Sequence, residues 1–475
     1  MLNILQLLLA DLIDVGQVTS IDTLPDDVLI QIFNYHGYDD NDLYREEREK
    51  VWQTLVHVCR RWRSIVFGSP RHLNLQLVCT PRTPARDMLG IWPALPLNIV
   101  SYGDYPTLDN FIAALECTDR VREIFLRIVP SSDSDIFGAM QQPFPELTQM
   151  QLWSTDETVS IVPDSFLGGS APRLEFLYLV GIPFPGLPKL LLSATHLTHF
   201  YLGNIPHSGY ISPDGMVTAL STLTSLERLG LQFQSPRSCP DPASRRPPPS
   251  TRFVVPVLTS FRFKGVSEYL EDLVACIDAP QLNNLDITFF NDIAFDTPQL
   301  IQFICRTPRS KELQKAYITF KERAARVNFS SRTSRFGNLK VEILCTGLDW
   351  QFSSLEQVCT SCMPPLSMLE DLYFDGDWYS QPDRKGGIEN RQLPELFRSF
   401  MAVKNLYLSE KLASRIAPVL QEIVEGRTTD VLPALQNIFV KGLESSGSIQ
   451  GSLGKFVAAR QVANRPIRIS AWTDS

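Results

Sequence analysis

The sequence predicts an α/β chain in which an N-terminal helical module is followed by a long repeat solenoid with a parallel sheet on its concave face. Two observations support this. From residue 121 onward the phrase apolar-x-x-apolar-x-apolar recurs, and before it the stretch Ile21 to Phe67 places its apolar residues at helical spacing. At 475 residues and 44% hydrophobic content, the chain can bury a large core.

The phrase opens at Val121, Leu147, Leu174, Leu197, Leu226, Leu258, Leu282, Leu313, Phe336, Leu369, Val403 and Leu435, with intervals of 23 to 34 residues. The mean, about 28 to 29 residues, falls inside the range of leucine-rich repeats. Each unit is expected to lay a short strand through its last two apolar positions, such as Leu177 and Leu179, and to return on the outer side. Helical returns are predicted over 268–277, 297–305, 393–400 and 412–424, and Leu73, Leu75 and Leu77 are read as the first strand. The solenoid is bounded at 71–445. Within it, Gln234 to Ser250 carries six prolines and no periodicity, so it reads as a loop. Residues 446–475 are assigned to a C-terminal cap, with a helix over 451–460 that turns Phe456 and Val457 inward and a last strand from Pro466 to Trp472.

In the helical module, Val28, Leu29, Ile32 and Phe33 form one stripe of a 3.6-residue helix. Its start is expected near Thr23 or Leu24, with Pro25 in the first turn and Asp26 and Asp27 at the positive end of the helix dipole. A second run spaces Trp52, Leu55, Val56, Cys59, Trp62, Ile65 and Val66 by threes and fours, interleaved with Arg60, Arg61 and Arg63. Two short helices cannot bury all of this surface on each other, so part of it needs a partner.

Leu24-Pro25, Leu29, Ile32-Phe33, Val58-Cys59-Arg60-Arg61-Trp62 and Ile65 resemble the F-box in the order and phase of that family. Residues 21–70 are accordingly read as an F-box-like module, and 1–20 as an N-terminal helix or flexible leader. The resemblance implies a docking site for the small adaptor subunit of a cullin-RING ubiquitin ligase. Its candidate residues are Leu24, Pro25, Val28, Leu29, Ile32, Phe33, Trp52, Leu55, Val58, Cys59, Trp62 and Ile65. With the repeats behind it, the chain is similar to F-box proteins with irregular C-terminal leucine-rich repeats, a combination common in large fungal families. It departs from them in the charged insert from Tyr35 to Lys50, which reads either as a solvated loop running into a helix or as a surface that tunes adaptor choice.

A net charge of −8 without a basic stripe argues against general binding of nucleic acid or anionic membranes. The nine cysteines are odd in number and scattered through apolar contexts, as expected of reduced thiols in the cytoplasm or nucleus. Met1 to Ala10 is leucine-rich but lacks a positive leader and is too short to span a bilayer.

Catalytic constellations are weak. Cys359-Thr360-Ser361-Cys362 has metal spacing but no second pair at ligand distance, and His196 and His199 fall on opposite faces of a strand. HExxH, GxSxG and phosphate-loop motifs are missing from the sequence. No catalytic residue, metal or cofactor is predicted, and the chain reads as a non-enzyme.

One pattern exceeds generic repeat chemistry. The residue between the last two apolar positions is aromatic in seven of the twelve units: Phe125, Tyr178, Tyr201, Tyr317, Tyr373, Tyr407 and Phe439. At 10% aromatic content about one is expected by chance. Alternation places these rings on the solvent-facing side, as ordinary strand residues or as a target-binding strip of Tyr178, Tyr201, Tyr317, Tyr373 and Tyr407.

Two functions follow. The first is a substrate receptor that docks to adaptor and cullin and presents a target protein on the repeats. The second is an adaptor-independent scaffold whose helices only cap the solenoid.

Overall fold

A computed structural model describes residues 21–36, 45–70, 72–73, 75–81, 85–101, 108–156, 158–239, 251–290, 297–307, 313–331, 339–345, 348–361, 366–376, 392–425, 431–443 and 447–472. The chain forms two compact units, 1–127 with 134–150, and 128–133 with 151–475.

In the first unit, helix α1 spans Asp26–His36, two or three residues later than the expected start at Thr23 or Leu24. The residue before a proline is driven out of the helical region, so Leu24 closes a single 3-10 turn over Ile21–Thr23 instead. The Pro25 carbonyl then accepts the first helical hydrogen bond, from the Leu29 amide at 3.1 Å, which makes Pro25 the cap rather than a first-turn residue. The second apolar run, expected as one helix, is two: α2 (Arg45–Val58) and α3 (Arg60–Gly68). Between them Cys59 is extended (φ −154°, ψ 171°), and its sulfur accepts from the Trp62 amide at 3.4 Å, capping α3. Of the charged insert, Arg45 to Lys50 open α2, and 37–44 lie outside the described residues.

Strands β1 (Leu77–Cys79), β2 (Leu97–Ser101) and β3 (Val121–Arg127) pair in parallel. The first strand begins at Leu77. The amides of Leu73 and Leu75 close back on Ser69 and Pro70 in a turn, which removes them from the ladder. The repeat phrase does not mark β2, because Ser101 stands opposite Leu126, where the phrase carries its last apolar residue.

Strand β4 (Gln149–Trp153) spans the boundary between the units. The second unit continues with β5 (Phe176–Val180), β6 (His199–Ile205), β7 (Arg228–Phe233), the two-residue β8 (Phe253–Val254), β9 (Ser260–Gly265), the two-residue β10 (Ile277–Asp278) and β11 (Asn284–Phe290). Then come β12 (Lys315–Lys321), β13 (Ala324–Ser330), β14 (Leu339–Leu344), β15 (Asp371–Gly376), β16 (Asn405–Leu408), β17 (Asn437–Val440) and β18 (Arg468–Ala471). β8 and β10 pair only with each other; the rest share one sheet in the order β5-β6-β7-β9-β11-β14-β13-β12-β15-β16-β17-β18.

The expected one-unit-at-a-time parallel growth fails at one place. Only Glu322 and Arg323 separate β12 from β13, and two residues can close a hairpin but not a parallel crossover. β13 therefore runs antiparallel to both β12 and β14, and β12 pairs onward with β15.

The last two apolar positions of each repeat phrase are buried, from Ile124 and Leu126 to Ile438 and Val440. Helical returns occur at Ser267–Cys276, Pro298–Arg306, Gln392–Arg398 and Glu410–Glu425, within two residues of expectation. At the C-terminus, Gly447–Val462 is helical, Phe456 is buried, and β18 pairs in parallel with β17. Of the proline-rich segment, Pro236–Ser238 form a 3-10 turn and 240–250 lie outside the described residues, as do 1–20. No described helix is long and apolar enough to cross a membrane.

Successive returns are fastened by a buried carboxylate. Glu271, on the helix Ser267–Cys276, accepts the Leu300 amide (2.7 Å) and the Gln299 amide (3.0 Å), so it caps the following helix Pro298–Arg306, whose own Thr297 supplies no side-chain cap. Replacing Glu271 with Ala should cost about 2 kcal/mol, because it strands the buried Leu300 amide and the part-buried Gln299 amide. Hydrogen exchange should show the amides of 299–301 losing protection first; unchanged protection there would refute this capping role.

Candidate functional site

The helical module has two chemically distinct faces. Trp52 is buried and donates from its indole nitrogen to the Gln76 carbonyl at 3.2 Å, just ahead of β1. Its ring packs edge-on against Trp92 (5.2 Å) and Phe67 (6.2 Å), which also face each other. Leu29, Phe33, Leu55, Val56, Ile65 and Val66 complete this interior. Of the candidate adaptor contacts, Leu29, Phe33, Trp52, Leu55 and Ile65 are thus core residues of the first unit, and their side chains are not presented to a partner. The spacing argument could not separate them, because three helices around one core give each helix a buried and an open edge within the same apolar stripe.

The remaining candidates stay accessible. Pro25 is exposed, Val58 is 56% exposed, and Leu24, Val28, Ile32, Cys59 and Trp62 are half-buried. Cys59, Arg61, Trp62 and Arg63 fix their geometry. Cys59 caps α3, and Arg61 donates to Asp26 Oδ1 (2.7 and 3.1 Å) and to the Leu24 carbonyl, clamping α3 to the start of α1. Trp62 packs on Phe33 with centroids 4.7 Å apart, and Arg63 donates to the Val56 carbonyl at 2.9 Å. The Arg61–Asp26 pair is largely solvated, so its contribution is orientation more than stability.

In the second unit the side chains opposite the repeat leucines line an open sheet face, and pairing sets their order. Tyr178 lies opposite Tyr201, then follow Gly230, Arg262, Asp286, Lys340, Asn328, Tyr317, Tyr373, Tyr407, Phe439 and Ser470. The expected single strip is therefore two ladders. Tyr178 and Tyr201 stack at 4.4 Å. The other ladder runs Tyr317–Tyr373 (4.3 Å), Tyr373–Tyr407 (4.1 Å) and Tyr407–Phe439 (4.6 Å), and Trp472 leans on Tyr373 and Tyr407. Stacking leaves the rings half-buried, apart from Tyr317 at 36% exposure, so they present edges and hydroxyls rather than flat faces. Phe125 belongs to the first unit and is buried, outside either ladder.

Beside the second ladder, the Asn405 amide donates to Asp371 (2.7 Å) and the Asn437 amide to Asn405 (2.8 Å). Sequence reading missed this polar row, although alternate residues of the same strands encode it. His199 stacks on Phe176 (5.3 Å), and burial together with Arg228 holds its imidazole below the usual range. His196 is exposed, Cys359 is buried, and Cys362 lies outside the described residues.

Residues 21–72 match the F-box-like family model, in agreement with the resemblance carried by Leu24-Pro25 and Cys59-Arg60-Arg61-Trp62. A comparison with curated proteins gave no match. Among solved structures, the chain is similar to the leucine-rich repeat-containing protein LegL7 from Legionella pneumophila. The two are 14% identical over 70% of this chain and 97% of that one, with a TM-score of 0.28. The repeat architecture is read from the strand pairing above and not from that likeness.

Two predictions follow from the ladders. A Cβ at Gly230 would lie 2.2 Å from the Tyr201 ring, so Gly230→Ala should unstack Tyr201 from Tyr178, seen as a changed near-ultraviolet circular dichroism spectrum with the far-ultraviolet spectrum kept. An unaltered tyrosine signal would contradict the stacking. Burial, reinforced by neighbouring hydroxyls, raises the phenol pKa of Tyr201 and Tyr373, and burial with nearby Asp371 raises that of Tyr407. The stability linked to these groups is present below about pH 10, the unfolded value, and is lost as pH rises through the folded value. Burial raises Tyr210 and Tyr269 as well, so absorbance titration at alkaline pH should show two phases, with the ladder tyrosines in the later one; Tyr373→Phe should shrink that later phase, and a single step or an undiminished later phase would refute this.

Proposed function

We propose that the chain is the substrate-recognition subunit of an SCF-type cullin-RING ubiquitin ligase, itself non-catalytic. F-box domains generally bind the small adaptor of such ligases, and the F-box-like match covers 21–72. The observation that carries the reading is the division of the module into two faces. Trp52, Leu55 and Val56 are spent on the core beside β1, whereas Leu24, Pro25, Val28, Ile32, Val58 and Trp62 remain accessible around a scaffold held rigid by Arg61 and Arg63. A helical module that served only as a cap would have no need of the second face. In this role the chain contributes positioning: the module fixes one end, and the open sheet face holds a target protein for transfer chemistry done by other subunits. Its scattered, odd-numbered cysteines suit the cytoplasm or nucleus.

The test is co-purification. Leu24→Ala with Pro25→Ala, or Ile32→Ser alone, should lower recovered adaptor and cullin at least tenfold, since a few apolar anchors dominate such interfaces. The far-ultraviolet spectrum should be unchanged, because none of these side chains is in the core. Undiminished adaptor with both sets changed would overturn the assignment.

A further inference from the structure

Between the two tyrosine ladders, the open face changes chemistry. Strands β7, β9, β11, β14 and β13 present Arg228, Arg262, Lys264, Lys340 and Arg326, against only Asp286 and Glu342. That local excess of three positive charges stands in a chain whose net charge is −8, so it does not reflect average composition. Both carboxylates are shared. Asp286 is 2.8 Å from Lys340 and 3.5 Å from Arg262, and Glu342 is 2.6 Å from Arg326 and 3.4 Å from Lys340. The Arg262 side chain nevertheless stays 55% exposed, Arg228 is exposed, and Lys264 lies over the Phe290 ring at 5.5 Å with no carboxylate beside it on these strands.

We infer that this basic field is the docking site for an extended acidic segment of a target protein, which crosses the strands from one tyrosine ladder to the other. The inference rests on the reading of this face as the target-presenting surface and adds the chemistry of what it takes. Six strand steps separate Tyr201 from Tyr317, about 29 Å at about 4.8 Å per step, which an extended segment of about nine residues spans. Carboxylates along it meet Arg228, Arg262 and Lys264, while the tyrosine hydroxyl edges at either end supply hydrogen bonds and apolar contact. The ring faces are already occupied by stacking on one another, which disfavours ligands that need an open aromatic face, such as sugars or unstacked bases.

The experiment is selection of a random nonapeptide display library on the full chain, alongside the Arg228→Glu/Arg262→Glu variant. Wild type should enrich sequences rich in Asp and Glu. A fluorescein-labelled copy of the most enriched peptide should bind at least tenfold more weakly to the variant, and more weakly to wild type as salt is raised from 50 to about 300 mM. Neutral or basic enrichment, equal binding by the variant, or displacement of the peptide by a single-stranded oligonucleotide at equimolar concentration would each overturn the inference. Arg262→Glu sets a carboxylate opposite Asp286, so the thermal midpoint of that variant should fall somewhat; Arg228→Gln/Arg262→Gln adds no like charge, should keep the wild-type midpoint, and must lose the same peptide. Adaptor co-purification on the same preparations separates the two claims: a failed docking assignment appears as adaptor loss from wild type, independent of peptide binding.

Discussion

Strand register in the second unit is the constraint on which the rest depends. A slip of one residue would exchange Leu177 and Leu179 for Phe176 and Tyr178, and every neighbouring strand would follow. The register is held from both sides. Inside, Leu, Ile and Phe pack fully buried; outside, tyrosines stack on tyrosines at 4.1 to 4.4 Å, and each such cross-strand pair adds roughly 0.2–1 kcal/mol. The same ladders that fix register line the open face, so the recognition surface and the stability of the sheet share residues. Where the ladder breaks, at Gly230, the missing side chain makes room for the Tyr201 ring and gives way to the charged strands.

The N-terminal module solves a different problem. Three short helices have more apolar surface than they can bury on one another, and the chain disposes of it in two directions. One part goes into the Trp52–Phe67–Trp92 cluster at the foot of the first strands. The other stays accessible and is held in place by polar contacts of Arg61 and Arg63 with backbone carbonyls and Asp26. Arg61 and Arg63 therefore act inside the module, not as a charged face toward a partner.

Much of this was legible in the sequence because leucine spacing reports burial directly. The repeat phrase located its strands, and the position between its last two apolar residues located the aromatic rows. What the sequence hid is instructive in physical terms. The hairpin of β12 and β13 turns on Glu322-Arg323, a pair without the glycine or asparagine that usually announces such a turn, so the inserted strand passed unnoticed. The break at Cys59 was masked because a capping cysteine also satisfies the apolar spacing. Buried and open members of the adaptor candidates share one periodicity, and only packing distinguishes Phe33 from its neighbour Ile32. The charged field is only partly legible: Arg262 and Asp286 fall in consecutive repeats at the position that also holds the tyrosines, whereas Lys340 and Asn328 join them only through the reordered pairing β11-β14-β13.

The central claim is that the accessible face of the helical module, and not the sheet, engages the ligase adaptor. Hydrogen exchange of the full chain with and without purified adaptor subunit tests it most directly. The account predicts slowed exchange confined to 24–33 and 58–63, with the amides of β5 to β18 unchanged. Slowing confined to the sheet strands, or none over 24–33, would contradict it.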